Sequence, residues 1–273
     1  MRHLLAVRTM PLVVVALLAA APAAKAQNND PAALNLAEPD FTLVALPTAL
    51  RLPTFGSAFR VTHRFTRPLN AGDFGDLASD LFGIDSGARI GLEYRFGIVP
   101  NGQIGIHRTS DRTIELFAEY GLIRQGTASP IDVMVLGTID GTNNFKDSYS
   151  PGIGAIVSRR FGDVAAVYVE PIWVNNTNQL PKALADDNDT FMVGIGARVR
   201  IRPSVYVVGE IVPRSGYQPG VNHGSLAIEK RAGGHTFQLN FSNAIGTTMG
   251  QVARGGPEGD QWFMGFAISR KFY

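Results

Sequence analysis

The chain of 273 residues has no cysteine, 30 glycines, 18% charged residues and 45% apolar residues. Its length suits one large domain or two small ones. Without a thiol there is no disulfide framework, no Cys-ligated zinc or iron–sulfur centre, no cysteine nucleophile and no lipid-bearing N-terminal cysteine.

Arg2 and Arg8 bracket a short basic region, an apolar run follows from Met10 to Ala21, and Ala24-Lys25-Ala26 places small residues where a signal peptidase reads. This predicts a secretory signal peptide over 1–26. The run is well short of the roughly 20 apolar residues of a spanning helix. Cleavage before Gln27 removes Arg2, Arg8 and Lys25, which takes the basic side chains from 25 to 22 against 23 acids, formally −1. The basic character belongs to the precursor, so a nucleic-acid partner is not expected. No other stretch is apolar for 18 residues, which excludes a helical membrane protein.

Residues 27–56 carry Leu34, Leu36, Phe41, Leu43, Val44, Leu46, Leu50, Leu52 and Phe55, punctuated by Pro31, Pro39, Pro47 and Pro53. The prolines prevent one long helix. Two readings follow: a periplasmic segment or plug against a barrel mouth, and a partly ordered leader with one short helix. The leader is the expected one.

From Ser57 onward, apolar side chains recur at every second position in segments of strand length. Ile90, Leu92, Tyr94 and Phe96 share one face, with Arg89, Glu93 and Arg95 on the other. Thr113 to Ile123 and Asp189 to Arg202 repeat the pattern. Strands are predicted at 57–65, 86–97, 103–109, 112–124, 131–139, 152–161, 164–174, 190–201, 204–213, 224–231, 234–242 and 261–273. Long connections at 66–85, 140–151, 175–189, 214–223 and 243–260 alternate with tight ones, except for a short third connection near Ser110-Asp111. A soluble sandwich has no reason to sort its loops by length, whereas a membrane barrel does. Hydrocarbon cannot satisfy a free strand edge, so the ring must close. The predicted fold over 57–273 is therefore all-β: a single antiparallel up-and-down transmembrane β-barrel of about 12 strands with long external loops and short periplasmic turns.

The polar face is Gly-rich and punctuated by Arg and Glu, which places it inside. Lumen-facing charges are then Arg60, Arg64, Arg89, Glu93, Arg95, Glu115, Glu119, Arg160, Glu170, Arg198, Arg200, Glu210, Glu229 and Arg231. Their near-balance implies pairing across a narrow interior, and the excess of arginine implies a mild anion preference if water passes. Phe59, Phe65, Tyr94, Phe96, Phe161, Trp173, Phe191 and Phe272 fit interfacial girdles. In the first long loop, Asp73 to Ile84 could form a short amphipathic helix on the membrane surface or folded inward.

The last strand sets Trp262, Met264, Phe266, Ile268 and Phe272 on one face and ends on Tyr273. It resembles the terminal assembly signal of bacterial outer-membrane barrels. His63-Arg64-Phe65, Asp80-Leu81-Phe82-Gly83-Ile84-Asp85, Gly91-Leu92-Glu93-Tyr94, Ile104 to Ser110 with Thr113, Glu115, Tyr120 and Gln125, Phe237 to Asn243, and Gly246-Thr247-Thr248 together resemble an uncharacterised family of predicted bacterial outer-membrane β-barrels. The resemblance implies a barrel in that membrane and no particular activity.

Candidate chemistry is sparse. His63, His107, His223 and His235 lack metal-ligand spacing, and no metal or cofactor is expected. His223-Gly224-Ser225 puts a histidine and a serine on one strand face, the spacing of the catalytic pair in the outer-membrane phospholipase, but without an evident Asn or Asp to orient the ring. The acidic run Asp186-Asp187-Asn188-Asp189 reads as solvated loop. The leading expectation is a narrow channel or transporter for small solutes; a non-conducting structural or partner-docking barrel comes second, and an outer-membrane hydrolase third. Expected partners are outer-membrane lipid and lipopolysaccharide, the barrel-assembly machinery through the last strand, and a small solute.

Overall fold

Two-faced strands without a covering layer must roll into a ring, because only closure pairs every backbone group while leaving one face apolar outside. The computed structural model describes residues 35–178, 188–216, 220–256 and 260–272. The expected signal peptide, residues 27–34, Asp186 and Asp187 of the acidic run, and Tyr273 lie outside these. The strands are β1 (Ser57–Phe65), β2 (Ala88–Val99), β3 (Gly102–Thr109), β4 (Ile114–Ile123), β5 (Asp132–Gly141), β6 (Asp147–Phe161), β7 (Ala165–Val174), β8 (Thr190–Arg202), β9 (Val205–Val212), β10 (Arg214–Gly216), β11 (His223–Ala232), β12 (His235–Ser242) and β13 (Phe263–Phe272).

Each long strand pairs antiparallel with its neighbours in chain order, and β1 against β13 closes the ring from Ser57↔Phe272 to Arg64↔Gly265. The result is a 12-stranded up-and-down barrel, with β10 as a short extra strand on β8. Pro213, which has no N–H, separates β9 from β10, and its carbonyl accepts from Val193 N at 3.0 Å.

One predicted connection differs. Residues 140–151 are not a long loop: β5 runs to Gly141 and β6 starts at Asp147, with Asn143 and Asn144 in the left-handed region at the turn. Asparagine tolerates that conformation, so a tight reversal replaces the loop and lengthens both strands. Long segments remain at 66–87, 175–189, 213–222 and 243–262, all at one end of the ring. Short turns, such as Pro100-Asn101 and Gly233-Gly234, sit at the other.

The outward face is apolar. Ile90, Leu116 and Val199 are 41%, 42% and 40% exposed, whereas Glu115 and Arg198, one residue from the latter two, are 6% and 0% exposed. Most girdle aromatics lie on this surface, including Phe59, Tyr94, Phe161, Trp173, Phe191 and Phe272. Phe65 is the departure: it is buried against the rings of His63 and Phe266. On β13, Met264, Phe266, Ile268 and Phe272 alternate with the buried Phe263, Gly265, Ala267 and Ser269.

The interior departs from the expected Gly-rich, charged lining. On the β5–β9 side it is apolar, with Met134, Leu136, Ile156, Ile172, Met192 and Val208 almost fully buried. The β1–β4 and β11–β13 side is charged and polar, with Arg60, Arg64, Glu93, Glu119, Glu229 and Gln238. An apolar inner wall is stable only if something apolar covers it, and residues 35–52 do so.

Candidate functional site

The N-terminal segment fills the barrel, so the leader with a short helix gives way to a plug. From β1 the chain runs back past the short-turn end, where Phe55 N donates to Gly97 O at 2.7 Å and Arg51 NH1 to Asn101 Oδ1 at 3.2 Å. Within the lumen, residues 41–48 form a small hairpin: Thr48 N donates to Phe41 O at 2.9 Å, and Leu43 N to Leu46 O at 2.8 Å across the tip. Pro39, Pro47 and Pro53, which keep this stretch from being helical, instead suit a compact irregular loop: Leu43, Val44 and Leu46 pack with the apolar wall, while Phe41 and Leu52 cluster with Ala58 of β1. Leu43, Val44 and Leu46 are at most 1% exposed.

Two inward-facing glycines on β8 make the seat. A Cβ at Gly196 would lie 2.2 Å from Leu43 Cδ1, and one at Gly194 would lie 2.8 Å from both Leu46 methyls. Wall side chains then hold the plug backbone. The Glu210 carboxylate accepts Val44 N at 3.0 Å, Ala45 N at 2.9 Å and Leu46 N at 3.1 Å. Arg60 donates to Val44 O at 3.0 Å, Gln238 to Leu43 O at 2.6 Å and Arg198 to Thr42 O at 2.8 Å. Asp40 accepts Ser269 Oγ at 2.8 Å, and Lys271 Nζ lies 5.2 Å from the centre of the Phe41 ring. Among the described residues, no backbone-to-backbone bond joins 35–52 to a strand.

A second occluder, which the sequence reading missed, comes from the long-loop end. Between β12 and β13 the chain turns inward into a helix, Met249–Arg254, whose N-terminus is a capping box of Thr248 and Gln251. Met249 N donates to Glu115 at 3.0 Å, and Thr248 Oγ1 donates to Asp140 at 2.5 Å. The Thr-x-x-Gln spacing was the available signal. Between plug and helix there remains a cavity of about 30 Å³, bordered by Arg60, Glu93, Arg95, His107, Glu115 and Glu119. That is room for a single water. Above the helix, an outer vestibule of about 440 Å³ is lined by Arg89, Asp111, Gln251 and Arg254 among others.

The candidate charges separate into groups. Arg95 pairs with Glu93 and, at 2.8 Å, with Glu119. Arg198 pairs with Glu229 at 3.0 Å with both side chains fully buried. Arg64 donates to Ala244 O at the root of the inward loop. Arg89 pairs with Asp111 at the long-loop rim, and Arg160 with Asp132 and Glu38 near the short-turn end. Arg200 is taken by Pro203 O in a turn, and Arg231 is half-buried near another, so neither joins the central network. Glu170, 0% exposed on β7, has no hydrogen-bond partner on either oxygen.

This inventory removes the arginine excess on which the expected anion preference rested. Inward carboxylates are Glu93, Glu115, Glu119, Asp132, Asp140, Glu170, Glu210 and Glu229; inward cations are Arg60, Arg64, Arg95, Arg160, Arg198 and Lys271. The arginines that tipped the sequence count, Arg89, Arg200 and Arg231, sit at the ends.

His223 and Ser225 do meet, with Glu210 as a third member invisible in the local sequence. Ser225 Oγ and Glu210 Oε1 each lie 3.0 Å from the same ring nitrogen, His223 Nε2, while Nδ1 has no partner. A proton relay needs the acid and the nucleophile on opposite ring nitrogens. Ser225 is also 2% exposed, so the arrangement reads as a structural hydrogen-bond cluster.

A family model described as a membrane bound beta barrel domain matches residues 43–272. Among solved structures, the NanC porin aligns with a TM-score of 0.54 at 9% identity, covering 80% of this chain and 99% of its own. An outer membrane channel from Pseudomonas putida F1 aligns at 0.51 and 11% identity over 81% and 97% of the two chains. The KdgM porin gives 0.50 and 8% over 80% and 99%. At these identities the likeness is one of fold. A search of curated protein sequences finds no match.

Proposed function

This chain belongs to the membrane-bound β-barrel domain family, and we propose that it is a narrow small-solute channel of the bacterial outer membrane, held shut by its own N-terminal segment and by the inward Met249–Arg254 helix. In this reading the signal peptide is removed on export, the short turns face the periplasm, and the outward face of β13 guides assembly. One observation carries the reading: the hairpin in the lumen is held by wall side chains and by no strand backbone. Withdrawing it breaks no ladder bond, so the barrel can open without unfolding. A plug that shared the sheet would instead be part of the wall.

The test is conductance of purified protein in planar bilayers. The wild-type chain is expected to be mostly closed, and Leu43→Asn/Leu46→Asn combined with Thr248→Ala, which puts amides against the apolar wall and frees the inward helix as well, is expected to give frequent channel events. Silence of that variant at every potential would overturn the channel reading. The docking-barrel alternative would then be favoured by the long-loop end, where Phe74, Leu81 and Ile84 are exposed at 74%, 55% and 53%.

A further inference from the structure

The plug tip occupies a place that a cation would fit better. Glu170 on β7 stands opposite Gly194, and Glu210 on β9 stands opposite Gly196, so the two carboxylates flank the two inward glycines of β8. They are separated by two strand spacings, roughly 10 Å between backbones. Glu170 is fully buried with both oxygens unpartnered. Glu210 is satisfied by His223 and by three amide N–H groups of the plug. Successive amides pointing at one carboxylate form a concentration of partial positive charge. Next to them, the Leu43 and Leu46 side chains fill the glycine seat. The tip therefore presents donors to one acid and hydrocarbon to the space between the two.

We propose that Glu170 and Glu210, with the Gly194–Gly196 seat between them, form a binding site for organic ammonium ions, diamines with a short hydrocarbon body above all, which the plug tip occupies in the closed barrel. The proposal rests on the channel reading above and names its solute class. When the hairpin withdraws, Glu210 loses its three amide donors and keeps His223, while the cations the hairpin releases, Arg60 on β1 and Lys271 on β13, stand six and five strands around the ring from Glu170. Arg198 stays committed to Glu229, and Arg95 to Glu93 and Glu119. A diammonium ion supplies donors to both carboxyl groups and covers the apolar floor, whereas a dianion of the same length sets acceptors against acceptors. An ionisable group buried at mid-membrane depth without a partner marks a transport pathway by default, and carboxylate-lined pores select cations.

The native chain has no cysteine, so Ala45→Cys in the otherwise intact full-length protein is a reporter of tip release. Its reaction with a small neutral maleimide in detergent is measured with putrescine and with glutarate at equal ionic strength. Putrescine is expected to accelerate labelling about tenfold by competing with the tip, and glutarate to leave it unchanged. Glu170→Gln in the same background, a near-isosteric neutral change, is expected to remove the putrescine effect. No acceleration, equal acceleration by both ions, or persistence of the effect in Glu170→Gln would overturn the site. Reversal potentials of Leu43→Asn/Leu46→Asn combined with Thr248→Ala in a KCl gradient separate the two proposals. Conduction without cation preference defeats the site and leaves the channel; silence together with putrescine-dependent labelling defeats the channel and leaves the site.

Discussion

Glu210 is the hub of plug docking. Its carboxylate gathers the tip amides on one side and His223 on the other. Glu210→Gln keeps the volume but turns part of the acceptor into a donor facing other donors. Hydrogen bonds to an ionised acceptor are worth more than neutral ones, so the loss to plug docking is expected to be about 3 kcal/mol. It is read as faster labelling of Ala45→Cys with the barrel intact. Gly196 acts by shape alone. A side chain there would meet Leu43 Cδ1, so Gly196→Val is expected to unseat the hairpin and speed labelling of Ala45→Cys while strand pairing survives. If labelling in Gly196→Val is no faster than in the parent, the leucine seat is not what holds the plug.

The plug hairpin and the inward helix are separate latches, and each has its own chemistry. Near the short-turn end, Glu38 accepts Tyr168 Oη at 2.8 Å and faces Arg160 at 3.6 Å. Burial pushes the Glu38 carboxyl above the usual range, with Arg160 pulling the opposite way. The docked form therefore holds this proton more tightly than the released form. Docking should strengthen as pH falls through the docked-state value, level off below the ordinary carboxylate range, and weaken above. Labelling of Ala45→Cys against pH measures this dependence, and Glu38→Gln is expected to flatten it. At the other end, Thr248→Ala removes the cap of the Met249–Arg254 helix together with the bond to Asp140. A lost cap costs about 1 kcal/mol, and limited proteolysis within 243–256 should quicken accordingly. Unchanged cleavage would mean that Met249 and Val252, buried among plug and wall, anchor the helix without its cap.

At the scale of the whole molecule, two solvents act on one sheet. Lipid on the outside selects the row of Ile90, Leu116 and Val199, and closure removes the edges that lipid could not satisfy. Inside, the wall is divided between an apolar half that needs covering and a charged half that supplies hydrogen bonds. The hairpin serves both at once, presenting Leu43 and Leu46 to the first and its backbone to the second. Because the ring is complete without the plug, purified protein is expected to show heat-modifiable gel mobility both as wild type and as Leu43→Asn/Leu46→Asn. Loss of the fast-migrating form in the variant would mean that the plug is needed for the barrel itself.

How much of this was legible follows from the range of the forces involved. Alternation along each strand is a local property, and the need to keep charge out of hydrocarbon acts on every residue separately. Strand positions, closure and the facing of Glu115 against Leu116 could therefore be read from sequence. Of the two segments that enter the lumen, 27–56 had a plug as one of two readings and the inward helix had none, because their burial depends on a wall assembled from strands far apart in the chain: Leu43 meets Gly196, and Thr248 meets Asp140. The same holds for the charge count, since strand alternation assigns a face but not a height, and height decides whether Arg198 is central or Arg200 sits in a turn. The amino-acid order by itself determined a closed membrane cylinder with its charged side chains inward; only the tertiary structure decided that half of the inner wall is apolar and what fills the cylinder, because filling is a matter of shape and unsatisfied donors brought together across the ring.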